Sequence, residues 1–126
     1  FLIAFIGHAL SDAVQYGSPW WSWVIASGFT CFIIGFSYPK LKVEDGEFSV
    51  KDAVRFNVIQ IIANVIAWVV ISPVLDIVIY SEPANLVFAQ GIVAAISNAI
   101  SAGVIGTVLL VLYSKTRSKK GSLTQE

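Results

Sequence analysis

Three uncharged stretches organise the chain. Residues 13–39, 56–75 and 83–114 contain no Asp, Glu, Lys or Arg and are dominated by Val, Ile, Ala, Leu and Phe. A helix needs about 20 apolar residues to cross a hydrocarbon core of about 30 Å. Each stretch therefore predicts one span, over 20–36, 54–74 and 86–113. Residues 1–10 are apolar but too short to cross alone, so they predict the end of a further helix. The pattern reads as an all-α, polytopic transmembrane helix bundle: three full spans plus the end of a fourth, in one membrane domain over 1–126 with a cytoplasmic tail at 116–126. The chain opens on Phe1 and contains no methionine, as expected of a piece of a longer protein.

Composition narrows the class further. Hydrophobic residues make up 56% of the 126 and charged residues 13%, with a mean hydropathy of +0.78. Soluble domains run at about a quarter charged, so sixteen charges are too few to cover a soluble globule of this apolarity. The same numbers exclude intrinsic disorder, and the lone Cys31 excludes a disulfide framework. Net charge is zero, which offers nothing to nucleic acid. The partner implied by composition is the lipid bilayer.

The eight bases fall in two places, Lys40, Lys42, Lys51 and Arg55 in one segment and Lys115, Arg117, Lys119 and Lys120 near the end. Short basic loops stay in the cytoplasm. The 40–55 segment and the C-terminus are thus expected inside. The connections around 11–19, with Asp12, and around 76–83, with Asp76 and Glu82, are expected outside. Pro73 and Pro83 are expected to bound a short non-helical or re-entrant stretch of that outer connection.

Polar residues inside the spans are the candidate chemistry, because an unpaired polar group in lipid costs several kcal/mol. Asn57, Gln60, Asn64, Trp68 and Ser72 fall within an arc of about 120° on a helix, and Gln90, Ser97, Asn98 and Ser101 within about 100°. Both stripes are expected to face inward. They either knit helices together, at about 0.6 kcal/mol per contact, or line a solute pocket whose amides read the edges of a polar molecule. Asn64, Trp68 and Gln90 are the pocket candidates, Asn98 leans to structure, and Asn57 to the cytoplasmic interface. Gly91, Ala95, Ala99 and Gly103 have the four-residue spacing that lets helix backbones approach. Ser27, Cys31 and Gly35 share it, so Cys31 is expected to be a small buried residue.

Tyr16, Trp20, Trp21 and Trp23 sit at the outer end of their span. An interfacial aromatic belt accounts for much of the cluster, but adjacent Trp residues point to different faces, so one is free to cap a pocket and stack on a planar ring. His8 and Asp12, four apart, share a helix face, as a structural or solute-binding hydrogen bond. One histidine and one cysteine are too few for a metal site, so no metal is expected. Asp76, Tyr80, Glu82 and Asn85 belong to the outer loop, where they either form a gate or are simply solvated. No glycine-rich GKS/T loop, nucleophile elbow or zinc signature occurs, and no nucleophile–base pair argues for an enzyme. No cofactor is implied, and energy for any active transport must come from a partner.

Several stretches together carry a resemblance: Gly7-His8-Ala9-Leu10 with Asp12, Gln15-Tyr16-Gly17-Ser18-Pro19-Trp20-Trp21-Ser22-Trp23, Gln60-Ile61-Ile62-Ala63-Asn64, Tyr80-Ser81-Glu82-Pro83-Ala84-Asn85 and Tyr113-Ser114-Lys115-Thr116-Arg117. Their order and spacing resemble the membrane-embedded S component of energy-coupling factor (ECF) vitamin transporters, in the riboflavin-type branch. The resemblance implies a six-helix fold, of which this chain holds the end of helix 3 and helices 4 to 6. It implies capture of a water-soluble vitamin, riboflavin-like first, at an outer pocket. Its implied partners are a transmembrane coupling protein and two cytoplasmic ATPases, and its implied location is a bacterial plasma membrane. Ring stacking by one of Trp20, Trp21 and Trp23 and amide hydrogen bonds from Asn64 or Gln90 would hold the ligand. The alternative is a non-transporting membrane scaffold whose amides only join helices.

Overall fold

The computed structural model describes residues 1–117, so most of the expected tail, including Lys119 and Lys120, lies outside the described residues. Among them there are four helices and no strand: α1 (Leu2–Tyr16), α2 (Trp21–Ser37), α3 (Val50–Tyr80) and α4 (Ala84–Lys115). Three segments, Trp21–Leu41, Val50–Tyr80 and Ala84–Lys115, are long and apolar enough to cross a membrane. The chain is thus a multi-pass, all-helical membrane protein.

Local chemistry sets the helix ends. Gly17 closes α1 in a left-handed conformation (φ 84°), where a side chain would be strained, and its N–H bonds to the Ala13 carbonyl. A capping box opens α3: the Asp52 N–H donates to the Ser49 hydroxyl and the Ser49 N–H to the Asp52 carboxylate. A 3₁₀ turn over Tyr38–Leu41 leads from α2 into the polar loop. Connections this short make neighbouring helices antiparallel. The Pro19 and Pro83 turns therefore share one end of the bundle, and the basic 40–55 segment shares the other with Arg117.

Neither long helix is uniform. Ile66–Ile71 and Ala102–Gly106 are π-helical turns. The first lies just ahead of Pro73, which has no N–H to donate and whose ring would collide with the carbonyl four residues back; a wider turn accommodates both defects. The expected break between Pro73 and Pro83 is therefore absent: Ser72–Tyr80 is regular helix and continues α3. Asp76 accordingly sits on a helix and is buried, not in a solvated loop. Asp12 is likewise on a helix, because α1 runs on to Tyr16.

α4 meets α3 through its small residues. A Cβ built on Gly91 would stand inside contact distance of the Trp68 carbonyl oxygen, and one on Gly103 would lie 2.8 Å from Asn57 Oδ1. Val87, Gly91 and Ala95 are the buried positions in its Ala84–Ser101 part, while Gln90, Ser97, Asn98 and Ser101 are all exposed. The second polar stripe is thus not turned into the bundle, because close backbone approach selects the small face of the helix. Cys31 is also exposed rather than buried. Phe1, at the start of α1, lies beside Gly28 and Phe29 of α2.

At the basic end, Leu41, Val43 and Phe56 form a small apolar cluster under the 42–49 loop. Glu44 gathers that loop onto the end of α4. It accepts from the Tyr38 hydroxyl at 2.7 Å and the Tyr113 hydroxyl at 3.4 Å, and pairs with Arg117. The Tyr38 bond, with Arg117 behind it, holds the Glu44 carboxyl below its ordinary range.

Candidate functional site

The first polar stripe is a continuous hydrogen-bonded ladder along α3. Trp68 Nε1 donates to Asn64 Oδ1 at 3.1 Å. Asn64 Nδ2 donates to the Gln60 carbonyl (2.8 Å) and to Gln60 Oε1 (3.1 Å). Gln60 Nε2 crosses to the Ala99 carbonyl of α4 at 3.0 Å, and Asn57 Nδ2 reaches Thr107 Oγ1 at 2.9 Å. Gln60 and Asn64 are each 1% exposed. Asn64 therefore stands behind the wall of any cavity, with both ends of its amide occupied. Trp68 presents its ring at a cavity while its N–H is spent on Asn64.

Two cavities open at the end of the bundle that holds the Pro19 and Pro83 turns. The larger, about 830 Å³, lies between α2 and the facing parts of α3 and α4; Trp20, Trp23, Asp76, Glu82, Gln90 and Asn98 contribute its aromatic and polar walls. The smaller, about 490 Å³, lies towards α1 and includes His8, Asp12, Ser27 and Trp68. Trp20, Trp23 and Asn98 border both, so the two tryptophans form a partition.

A buried carboxylate holds that partition. Asp76, 2% exposed, accepts from Trp20 Nε1 at 2.6 Å, from Trp23 Nε1 at 3.0 Å and from the Ser22 hydroxyl. All three neighbours donate to it, so both carboxylate oxygens are occupied as acceptors. Asp12, also buried, accepts the Trp20 backbone N–H at 3.0 Å and stands 3.4 Å from His8 Nε2. His8 Nδ1 in turn meets the Ser27 hydroxyl. Tyr80 packs on Trp20 with ring centres 4.4 Å apart, and its hydroxyl accepts the Trp21 N–H. Trp23 meets Trp68 edge-on at 5.3 Å.

The structure thus brings together most of the residues singled out from sequence and separates a few. Trp20, Trp23, His8, Asp12, Trp68, Glu82, Gln90 and Asn98 border the cavities, and Tyr80 supports Trp20. Trp21 instead points away and packs against Phe5, as a belt residue would. Asn85 is exposed and borders neither cavity. Ser22 and Ser27 were not foreseen, and Asp76, expected as a gate or solvated residue of the outer loop, is instead the buried anchor of the tryptophans. The available signal was the spacing of Asp76 and Tyr80, four apart, which puts both on the helix face that meets the Trp20–Trp23 turn.

Comparison with known proteins agrees over nearly the whole chain. The sequence model for "ECF-type riboflavin transporter, S component" matches residues 1–115. Similar proteins include a UPF0397 protein of Clostridium perfringens, 58% identical, and one of Lactobacillus acidophilus, 56% identical, each over all of this chain and 68% of the relative. Another, from Exiguobacterium, is 57% identical over 99% of this chain and 68% of its own length. No solved structure matches. With its apolar helices and this match over residues 1–115, the chain belongs to the family of ECF-type riboflavin transporter S components and is a membrane transporter subunit, not an enzyme.

Proposed function

We propose that this protein captures a water-soluble vitamin, riboflavin-like first, from outside the cell and passes it inward with a transmembrane coupling protein and two cytoplasmic ATPases. The observation that carries this reading is the pair of connected cavities walled by Trp20 and Trp23 at the base-free end of the bundle. Under the positive-inside rule that end faces outward, and the 40–55 loop and the C-terminus lie in the cytoplasm of a bacterial plasma membrane. Indole faces stack on a planar ring, and the Gln90 and Asn98 amides, without protein partners among the described residues, read its polar edges. Asp76 and Asp12 hold the tryptophans in place; Tyr80 and Glu82 stand at the mouth. Asn64 supports the site through Trp68.

Native mass spectrometry of the full-length protein in mild detergent, as purified and after stripping and re-addition of vitamins, tests this. A retained flavin is the expected result. Failure to bind any water-soluble vitamin would overturn capture and favour the scaffold, in which the amide ladder only joins helices.

A further inference from the structure

We infer that this site selects by charge: it takes a flat heteroaromatic solute with no net negative charge and excludes the phosphorylated or carboxylated counterpart. The inference rests on the capture reading above and names the class of solute it admits.

The charged groups at the cavities are acids. Asp76 and Glu82 border the larger space and Asp12 the smaller, with His8 beside Asp12; no Lys or Arg borders either among the described residues. Lys40, Lys42, Lys51, Arg55, Lys115 and Arg117 are all at the opposite end. A solute anion would therefore meet like charge, with no base among the described residues bordering either cavity to offset it.

Most of the donors that an anion would need at this helix start are also already in use, the Ser22 N–H excepted. The start of a helix normally offers free N–H groups to an anion, and α2 starts at the cavity. Here the Trp20 N–H goes to Asp12, the Trp21 N–H to the Tyr80 hydroxyl, and those of Trp23 and Val24 to the Trp20 carbonyl. Both indole N–H groups and the Ser22 hydroxyl go to Asp76, and the Trp68 N–H to Asn64. What remains for a ligand includes the indole faces, which favour neutral or cationic rings, the Ser11 and Tyr16 hydroxyls of the smaller cavity, and the two-sided amides of Gln90 and Asn98, all uncharged groups that suit neutral polar edges.

Calorimetric titration of the stripped full-length protein with matched pairs tests this: riboflavin against riboflavin 5′-phosphate, thiamine against thiamine phosphate, and nicotinamide against nicotinate. Like charges about 7 Å apart at an effective dielectric near 20 predict that the less anionic member of the pair that binds is favoured by about tenfold or more. Asp76→Asn keeps the side-chain shape, removes the charge and should narrow that ratio. Because Asp76 also holds the partition, Glu82→Gln is the second variant; it is half-buried at the mouth, and a narrowing of about threefold with unchanged thermal stability is expected. An anionic member bound as tightly as its partner, or a ratio unmoved in both variants, overturns the charge inference and leaves capture standing. Failure of every pair overturns both.

Discussion

The two polar stripes are built of similar residues at similar spacing, yet they meet different fates. On α3, every amide from Asn57 to Asn64 is bonded within the protein, and the ladder ends on the Trp68 indole. On α4, Gln90 and Asn98 are exposed at a cavity wall. The difference lies in what stands opposite. α4 turns Gly91, Ala95 and Gly103 towards α3, so the two backbones come close enough for Gln60 to reach the Ala99 carbonyl. The amides of α4 lie on another side of that helix and face space. An amide in these helices is therefore closed off where a neighbour's backbone is within reach, and left open at the cavity wall where it is not.

Widening the close approach should have the largest effect. Gly91→Val places branched carbon against the Trp68 carbonyl, and we expect a loss of about 2–3 kcal/mol of stability, read as a sharp fall in thermal melting in detergent. Cutting the ladder comes next. Asn64→Leu leaves the Trp68 N–H and the Gln60 oxygens without their partner and should cost about 1–3 kcal/mol, while solute affinity changes little once the protein is folded. Gln90→Ala should do the reverse: melting within about 0.5 kcal/mol of wild type, with solute affinity reduced by about tenfold, measured by calorimetry. If Gln90→Ala destabilised as much as Asn64→Leu, the distinction between the stripes would fail.

The smallest effect is expected at the opposite end. Because the Tyr38 hydroxyl and Arg117 hold Glu44 below its ordinary pKa of 4.5, its contribution is fully present above that value and is lost as pH falls through the lower folded value. Melting compared between wild type and Glu44→Gln should differ at pH 7 and converge in acid. A difference that grows on acidification would contradict the sign.

The spans were legible in sequence because lipid imposes a simple rule of length and charge, and the structure lengthens them without adding or removing one. The small-residue stripe of α4 was read as packing and packs. Three features were not legible. Pro73 looked like a break, since nothing in the local pattern announces the π turn that absorbs it. Cys31 looked buried because its spacing matched Ser27 and Gly35, but spacing alone does not say which face of α2 its neighbours cover. Asp76 looked like a loop acid because its three donors, Trp20, Ser22 and Trp23, lie more than fifty positions away.

Class, number of spans, the basic and base-free ends and the family itself follow from the linear order of residues, since hydropathy and charge act on each segment separately. Which polar groups are closed off and which are left open follows only from helix pairing. A hydrogen bond has a reach of about 3 Å, and the Gly91 contact and the π turn at Ile66–Ile71 set that distance for residues far from either in sequence.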